Sequence, residues 1–369
     1  MLGALTRPGS LPPLDGLRAV AILLVLSEHI AQRLPGWTDA TRQSAWLRPF
    51  HLGWIGVDLF FVLSGFLVGS IVLRGIDPGR FSFRTFYLRR FFRILPAYFT
   101  VILALVVIRY GWPEIGGVPP FALPDLIPNL LLLTDYWPRD LGVPSWSLSI
   151  EEHFYLLIPL LLLFARKFAP AAQRNLLLGF VGLGLLCRIL TYHYYHLGGS
   201  FPSAEIMPLI YYPFHTRLDA LAMGVLIALL HRENPHGAAG LRRNAAMAFA
   251  LVLLSAVFFP GVLQGRWFRV TLQYSFLAVG FGAILWSVLP GQPATILARF
   301  LSARLWVPVA RLSYAIYLTH IIVLEFASRI MPPSPLGPLF LFACCLAAAL
   351  PLYLFVEEPL HRYARRVFP

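Results

Sequence analysis

Arg18 and His29 stand eleven residues apart in LDGLRAVAILLVLSEHI, the first apolar segment long enough to cross a membrane. An arginine that keeps its charge inside such a segment is costly and marks a functional position. At about 100° per residue, eleven helical steps make three turns plus about 20°, so both side chains share one face. With a rise of about 1.5 Å per residue they lie roughly 16 Å apart, about half the hydrocarbon thickness. One helix thus carries a fixed cation and a titratable base at two depths. That suits a protein with one reactant near each membrane surface.

Composition fixes the elements that must hold these groups. The chain is 58% hydrophobic, 14% aromatic and 13% charged over 369 residues, too apolar for a soluble domain of this length. Its apolar runs predict about ten transmembrane helices, at about 14–33, 53–74, 86–109, 146–165, 175–194, 213–231, 244–260, 270–289, 308–330 and 336–357. The expected class is an all-α polytopic membrane protein, a single domain over 1–369 with no appended soluble domain. With the N-terminus inside, nineteen of the 30 Lys and Arg fall in inner segments, which places both termini in the cytoplasm. The net charge of +13 is therefore a topology signal, and no nucleic-acid partner is expected.

LIPNLLLLTDYW, at about 126–137, is too short to span and reads as an outer-surface or re-entrant segment. The polar stretches at about 34–52, 110–145 and 195–212 fall outside and suit a lid or rim. No cleavable leader and no internal repeat are visible. Cys187, Cys344 and Cys345 lie in apolar runs without metal spacing, so neither a disulfide nor a metal site is expected.

Topology converts positions into depths. His29 and His320 fall about 12 Å below the outer surface, Glu151, Glu152 and Asp219 about 9 Å, and Asp58 about 7 Å. Five spans therefore place ionisable groups in one outer layer, as a shared polar cavity would. On the inner side, FRTFYLRRFFRILPAYF carries Arg84, Arg89, Arg90 and Arg93 among aromatics. Arg90 and Arg93 share a helical face suited to gripping phosphate. Each feature also has a plainer reading. Arginines at an inner helix end anchor lipid headgroups. A lone histidine bonds between helices, acids near a helix start complement its dipole, and Asp58 could pair with a neighbouring cation.

Five ordered motifs, LDGLRAVAILLVLSEH, GVDLFFVLSGFL, FYLRRFFRILPAYF, SWSLSIEEHFYL and SYAIYLTHIIVL, resemble the integral-membrane acyltransferase-3 family. The resemblance runs from about residue 11 to EEPLHRYARR at 357–366. It implies transfer of an acyl group, usually acetyl, from cytoplasmic acyl-CoA to a sugar hydroxyl at the outer face of the cell membrane. No permanently bound cofactor is implied. The family's Arg–x10–His pair maps onto Arg18 and His29, its Arg–x–x–Arg onto Arg90 and Arg93, and its acidic motif onto Glu151 and Glu152.

The mechanism expected from residues and resemblance together is direct. Arg18, Arg89, Arg90 and Arg93 would hold the acyl-CoA, and His29 would act as general base. Glu152, or else Glu151, would fix its tautomer. Asp58, Trp146, Asp219 and His320 would orient the acceptor. Ser64 lacks the glycine of a nucleophile elbow and is not expected to attack. A secondary transporter of a sugar or organic anion is one alternative, against which stand the missing repeat and the lack of paired broken helices; an acyltransferase for a lipid or secreted glycoside, differing only in acceptor, is the other.

Overall fold

The computed structural model of the chain describes residues 12–34, 52–76, 81–111, 122–139, 141–195, 206–235, 241–258, 265–290, 295–331 and 336–368. Among them every regular element is helical and no strand occurs. Much of the three predicted outer stretches, and two of the arginines counted in the inner segments, Arg7 and Arg80, lie outside the described residues.

Helices occupy all ten predicted positions. They are α1 (Pro12–Ala31), α2 (Ile55–Ile76), α3 (Phe83–Gly111), α5 (Ser145–Ala165), α6 (Pro170–Tyr194), α7 (Leu218–Glu233), α8 (Leu241–Phe258), α9 (Leu272–Val288), α10 (Trp306–Ala327) and α11 (Gly337–Leu352). The segment at 126–137 yields only the eight-residue α4 (Leu123–Leu130) followed by turns. After α11 the chain passes through a π-helical turn, Tyr353–Glu357, into α12 (Glu358–Val367). Pro351, one residue before the end of α11, removes a donor from the α-helical ladder there. Such a loss commonly accompanies local rewinding.

Among the described residues six helices are long and apolar enough to cross a membrane: α2, α3, α5, α6, α10 and the α11–α12 run. The other four predicted spans fall short of that measure. α7 and α9 have only 16 and 17 residues, α8 has a short apolar stretch at Ala246–Ser255, and α1 carries Asp15, Arg18 and Glu28.

The chain divides into two compact units, each assembled from separate stretches of sequence. One contains the first part of α1, α2, α5 from Trp146, and α6 to α9; the other contains α1 from Ile22, α3, α4, most of α10, α11 and α12. In the first unit, α2 and α7 pack most extensively. Glycine lets their backbones meet: a Cβ on Gly224 would stand 2.1 Å from the Val62 carbonyl oxygen, and one on Gly65 would stand 2.1 Å from that of Leu221. Gly224→Ala is therefore expected to cost about 1–3 kcal/mol, read as a lower Tm of the detergent-purified protein. Gly179→Ala meets nothing within 4 Å and should leave Tm unchanged or higher. Equal Tm values for Gly224→Ala and wild type would refute the close packing.

In the second unit, α4 is tied down through Asn129. Its carbonyl accepts from Tyr98 Oη at 2.9 Å, its Oδ1 accepts from Ser145 Oγ at 2.9 Å, and its amide donates to the Asp125 and Arg139 carbonyls. A segment too short to span is thus held by side-chain hydrogen bonds.

Candidate functional site

The second unit brings the histidines together. On α10, Ser313, Ile316, His320, Leu324 and Ala327 repeat every three or four residues, and all are buried. This stripe aims His320 inward. The His29 and His320 rings meet edge to face, with centroids 4.9 Å apart and planes at 70°. Beyond them Arg33 Nη1 donates to Glu325 Oε2 at 2.6 Å, and Arg329 donates to Glu325 Oε1 at 2.7 Å. Contacts at residues 29 and 33 of α1 and its C-terminal extension meet 320 and 325 of α10. The two helices therefore run in the same direction.

The ring nitrogens differ in role. His29 Nδ1 lies 2.8 Å from the Val25 carbonyl oxygen. A carbonyl only accepts, so Nδ1 carries the proton of the neutral ring and Nε2 keeps the lone pair. His320 repeats the pattern, its Nδ1 shared between the Tyr317 oxygen at 2.8 Å and the Ile316 oxygen at 3.2 Å. His320 Nε2 is buried without a hydrogen-bond partner among the described residues. The tautomer of His29, expected to be fixed by Glu152 or Glu151, is set instead by a backbone carbonyl one turn back. That is a correction to the expected mechanism. Its cause is that a helical side chain always has the i−4 carbonyl within reach.

The arginines of α3 lie in the same unit. Arg89 Nε donates to the Phe368 carbonyl at 2.6 Å, so part of its capacity is used in packing α12 on α3. Phe92 contacts Tyr363 and Phe368 beside it. Arg90 lies over the Phe86 ring at 5.8 Å, and Arg93 is half-buried one turn on.

The first unit holds the acidic candidates. Glu151 Oε1 accepts from Ser64 Oγ at 2.5 Å, and its Oε2 accepts from Tyr155 Oη at 2.8 Å. Ser64 is thus a donor to a carboxylate as well as a helix-face residue. Glu152 is half-buried on the next position of α5. Asp58 Oδ1 accepts from Arg217 Nη2 at 2.7 Å, and Asp219 Oδ2 accepts from Arg188 Nη2 at 2.6 Å. Arg188 also donates to the carbonyls of Thr216 and Thr271 and to Ser275 Oγ. The Arg217 guanidinium packs against the rings of Tyr274, Tyr211 and Phe61, at 4.4, 4.9 and 5.6 Å. Trp146 contacts Tyr211 and Tyr212 at 4.7 and 5.1 Å.

Asp58 and Asp219 therefore pair with buried arginines, the plainer reading entertained for Asp58. Arg188 and Arg217 are the residues that sequence reasoning missed. For Arg188 the signal was present, because it is a permanent cation flanked by apolar residues, as Arg18 is, whereas Arg217 stands among His215, Thr216 and Asp219. α1 is unbroken from Pro12 to Ala31, so Arg18 and His29 do share one helix.

Residues 12–356 match the family model described as an acyltransferase domain, the acyltransferase-3 model. The chain belongs to the acyltransferase-3 family. Among curated relatives in the family's terms, it is 27% identical over 377 residues to the peptidoglycan O-acetyltransferase OatA of Listeria monocytogenes, covering 95% of this chain and 56% of that protein. It is 28% identical over 397 residues to a Bacillus subtilis protein named "Putative peptidoglycan O-acetyltransferase YrhL", covering 97% of this chain and 57% of that one. The chain thus spans little more than half the length of these relatives. No solved structure matches it.

Proposed function

We propose that the chain is a multi-pass membrane O-acyltransferase. In this reading it moves an acyl group, acetyl first, from cytoplasmic acyl-CoA to a carbohydrate hydroxyl at the outer face of the cell membrane. Its relatives' names favour a peptidoglycan-type sugar as acceptor. The reading includes ten crossings, both termini in the cytoplasm and one membrane domain. The observation that carries it is His29, whose Nδ1 is occupied by Val25 and whose Nε2 lone pair is left for a proton.

In the proposed reaction the acceptor hydroxyl gives its proton to His29 Nε2 as its oxygen attacks the thioester carbon. The carbon–sulfur bond breaks, and the thiolate of coenzyme A takes the proton as His29 returns to neutrality. Arg18, Arg90 and Arg93, with Arg89 in part, bind the phosphates of the donor. Glu152 is the carboxylate whose charge would steady the imidazolium, Glu151 being held by Ser64 and Tyr155. Trp146 offers a ring face to the acceptor.

Direct transfer predicts that labelled acetyl-CoA and purified protein release coenzyme A only when a sugar acceptor is present. Muropeptide fragments are the first acceptor to try. A stoichiometric burst of coenzyme A without acceptor, with an acetyl mass adduct on the protein, would overturn direct transfer. Accumulation of unmodified sugar or organic anion in proteoliposomes, without acylation, would favour the transporter reading.

A further inference from the structure

We propose that His320 is the proton partner of His29: it accepts a hydrogen bond from the imidazolium that forms when His29 takes the acceptor's proton. This deepens the reading above and rests on it. His320 is fully buried, and its ring touches that of His29. Its Nδ1 proton is committed to the Tyr317 and Ile316 carbonyls, so the only function left to it is the Nε2 lone pair. That atom has no donor among the described residues in the resting state. A buried acceptor without a donor is destabilising, and the structure maintains it beside the one side chain expected to gain an N–H during turnover. His29 cannot use Nδ1 for this purpose, since Val25 holds it. The proton acquired at His29 Nε2 therefore has His320 Nε2 as its natural acceptor within the same unit.

The step is balanced. The hydroxyl proton moves to His29 Nε2, is shared with His320 Nε2 while the carbon–sulfur bond breaks, and leaves from His29 to the thiolate. Neither histidine is consumed. Other charged and titratable groups around the pair are Glu28 and Arg33 on the α1 side and Tyr317 and Glu325 on α10. Glu28 accepts from Gln32, and Arg33 and Arg329 donate to Glu325. The 52–54 segment, which packs on α1 through Gly53 against Leu24 and Glu28, brings no ionisable side chain.

A partner that accepts from the imidazolium raises the basicity of His29, so its loss should lower that basicity. His320→Leu is accordingly expected to lower kcat about 10²-fold and to move the acid limb of the pH–rate profile to lower pH. The KM for acetyl-CoA should stay near its wild-type value. His320→Gln, whose carbonyl can still accept, should recover part of both effects. If His320→Leu does not purify as a monodisperse protein, His320→Asn, with its acceptor withdrawn, is expected to show the same loss and shift. A well-folded Leu or Asn variant with an unmoved acid limb would overturn the proposal, as would equal losses for Leu and Gln. His29→Ala separates the two levels. Activity retained there defeats the base assignment itself, whereas activity lost there with unaltered His320 variants defeats only the pairing.

Discussion

His29→Ala is expected to abolish acyl transfer while leaving expression, membrane insertion and Tm close to wild type. General-base catalysis contributes about 10²–10⁴-fold, so the loss should reach at least that range. Stability should be spared because His29 is half-buried, and its side-chain hydrogen bond is a local one to Val25 within its own helix. Near-wild-type turnover by the purified variant would remove His29 from the chemistry.

The largest effect on stability is expected at Arg188. Its guanidinium is wholly buried and donates to Asp219, Ser275, Thr216 and Thr271. Arg188→Leu would strand the Asp219 charge and leave two carbonyls without that donor. Removing one partner of a buried pair costs about 3–5 kcal/mol, whereas replacing both by apolar groups costs far less. The double variant Arg188→Leu/Asp219→Leu should therefore be more stable than Arg188→Leu alone. Denaturation of the four proteins of this cycle in detergent measures it. A single variant within about 1 kcal/mol of wild type, or additive losses, would contradict the buried pairing.

How much of this was legible in the sequence depended on what each inference required. The sharing of a face by Arg18 and His29 needed only helical periodicity, and α1 is continuous. The meeting of His29 and His320 was legible as a common depth, because the two helices run in the same direction, as the expected topology requires. Glu151 and Glu152 could not be separated, since neighbours on a helix differ by about 100° and either can face a partner. The environment of Glu151 depends on Ser64, 87 positions before it. Tyr155 was within reach of the sequence, being four residues after Glu151. Arg188 escaped notice for a different reason. Its stripe on α6, Leu177, Gly184 and Arg188, is the fully buried part of a helix otherwise half-buried or exposed, and nothing in the residues of α6 names Asp219 as its partner.

The quartet of Arg188, Arg217, Asp58 and Asp219 has a bearing on bioenergetics. A single charge moved across a membrane exchanges about 2.3 kcal/mol with each 100 mV of potential. Two guanidiniums and two carboxylates, all ionised, sum to zero, so displacement of the unit as a body transfers no net charge from this cluster. The quartet supplies buried polar attachment among α2, α6 and α7 and carries no net charge for the membrane potential to act on.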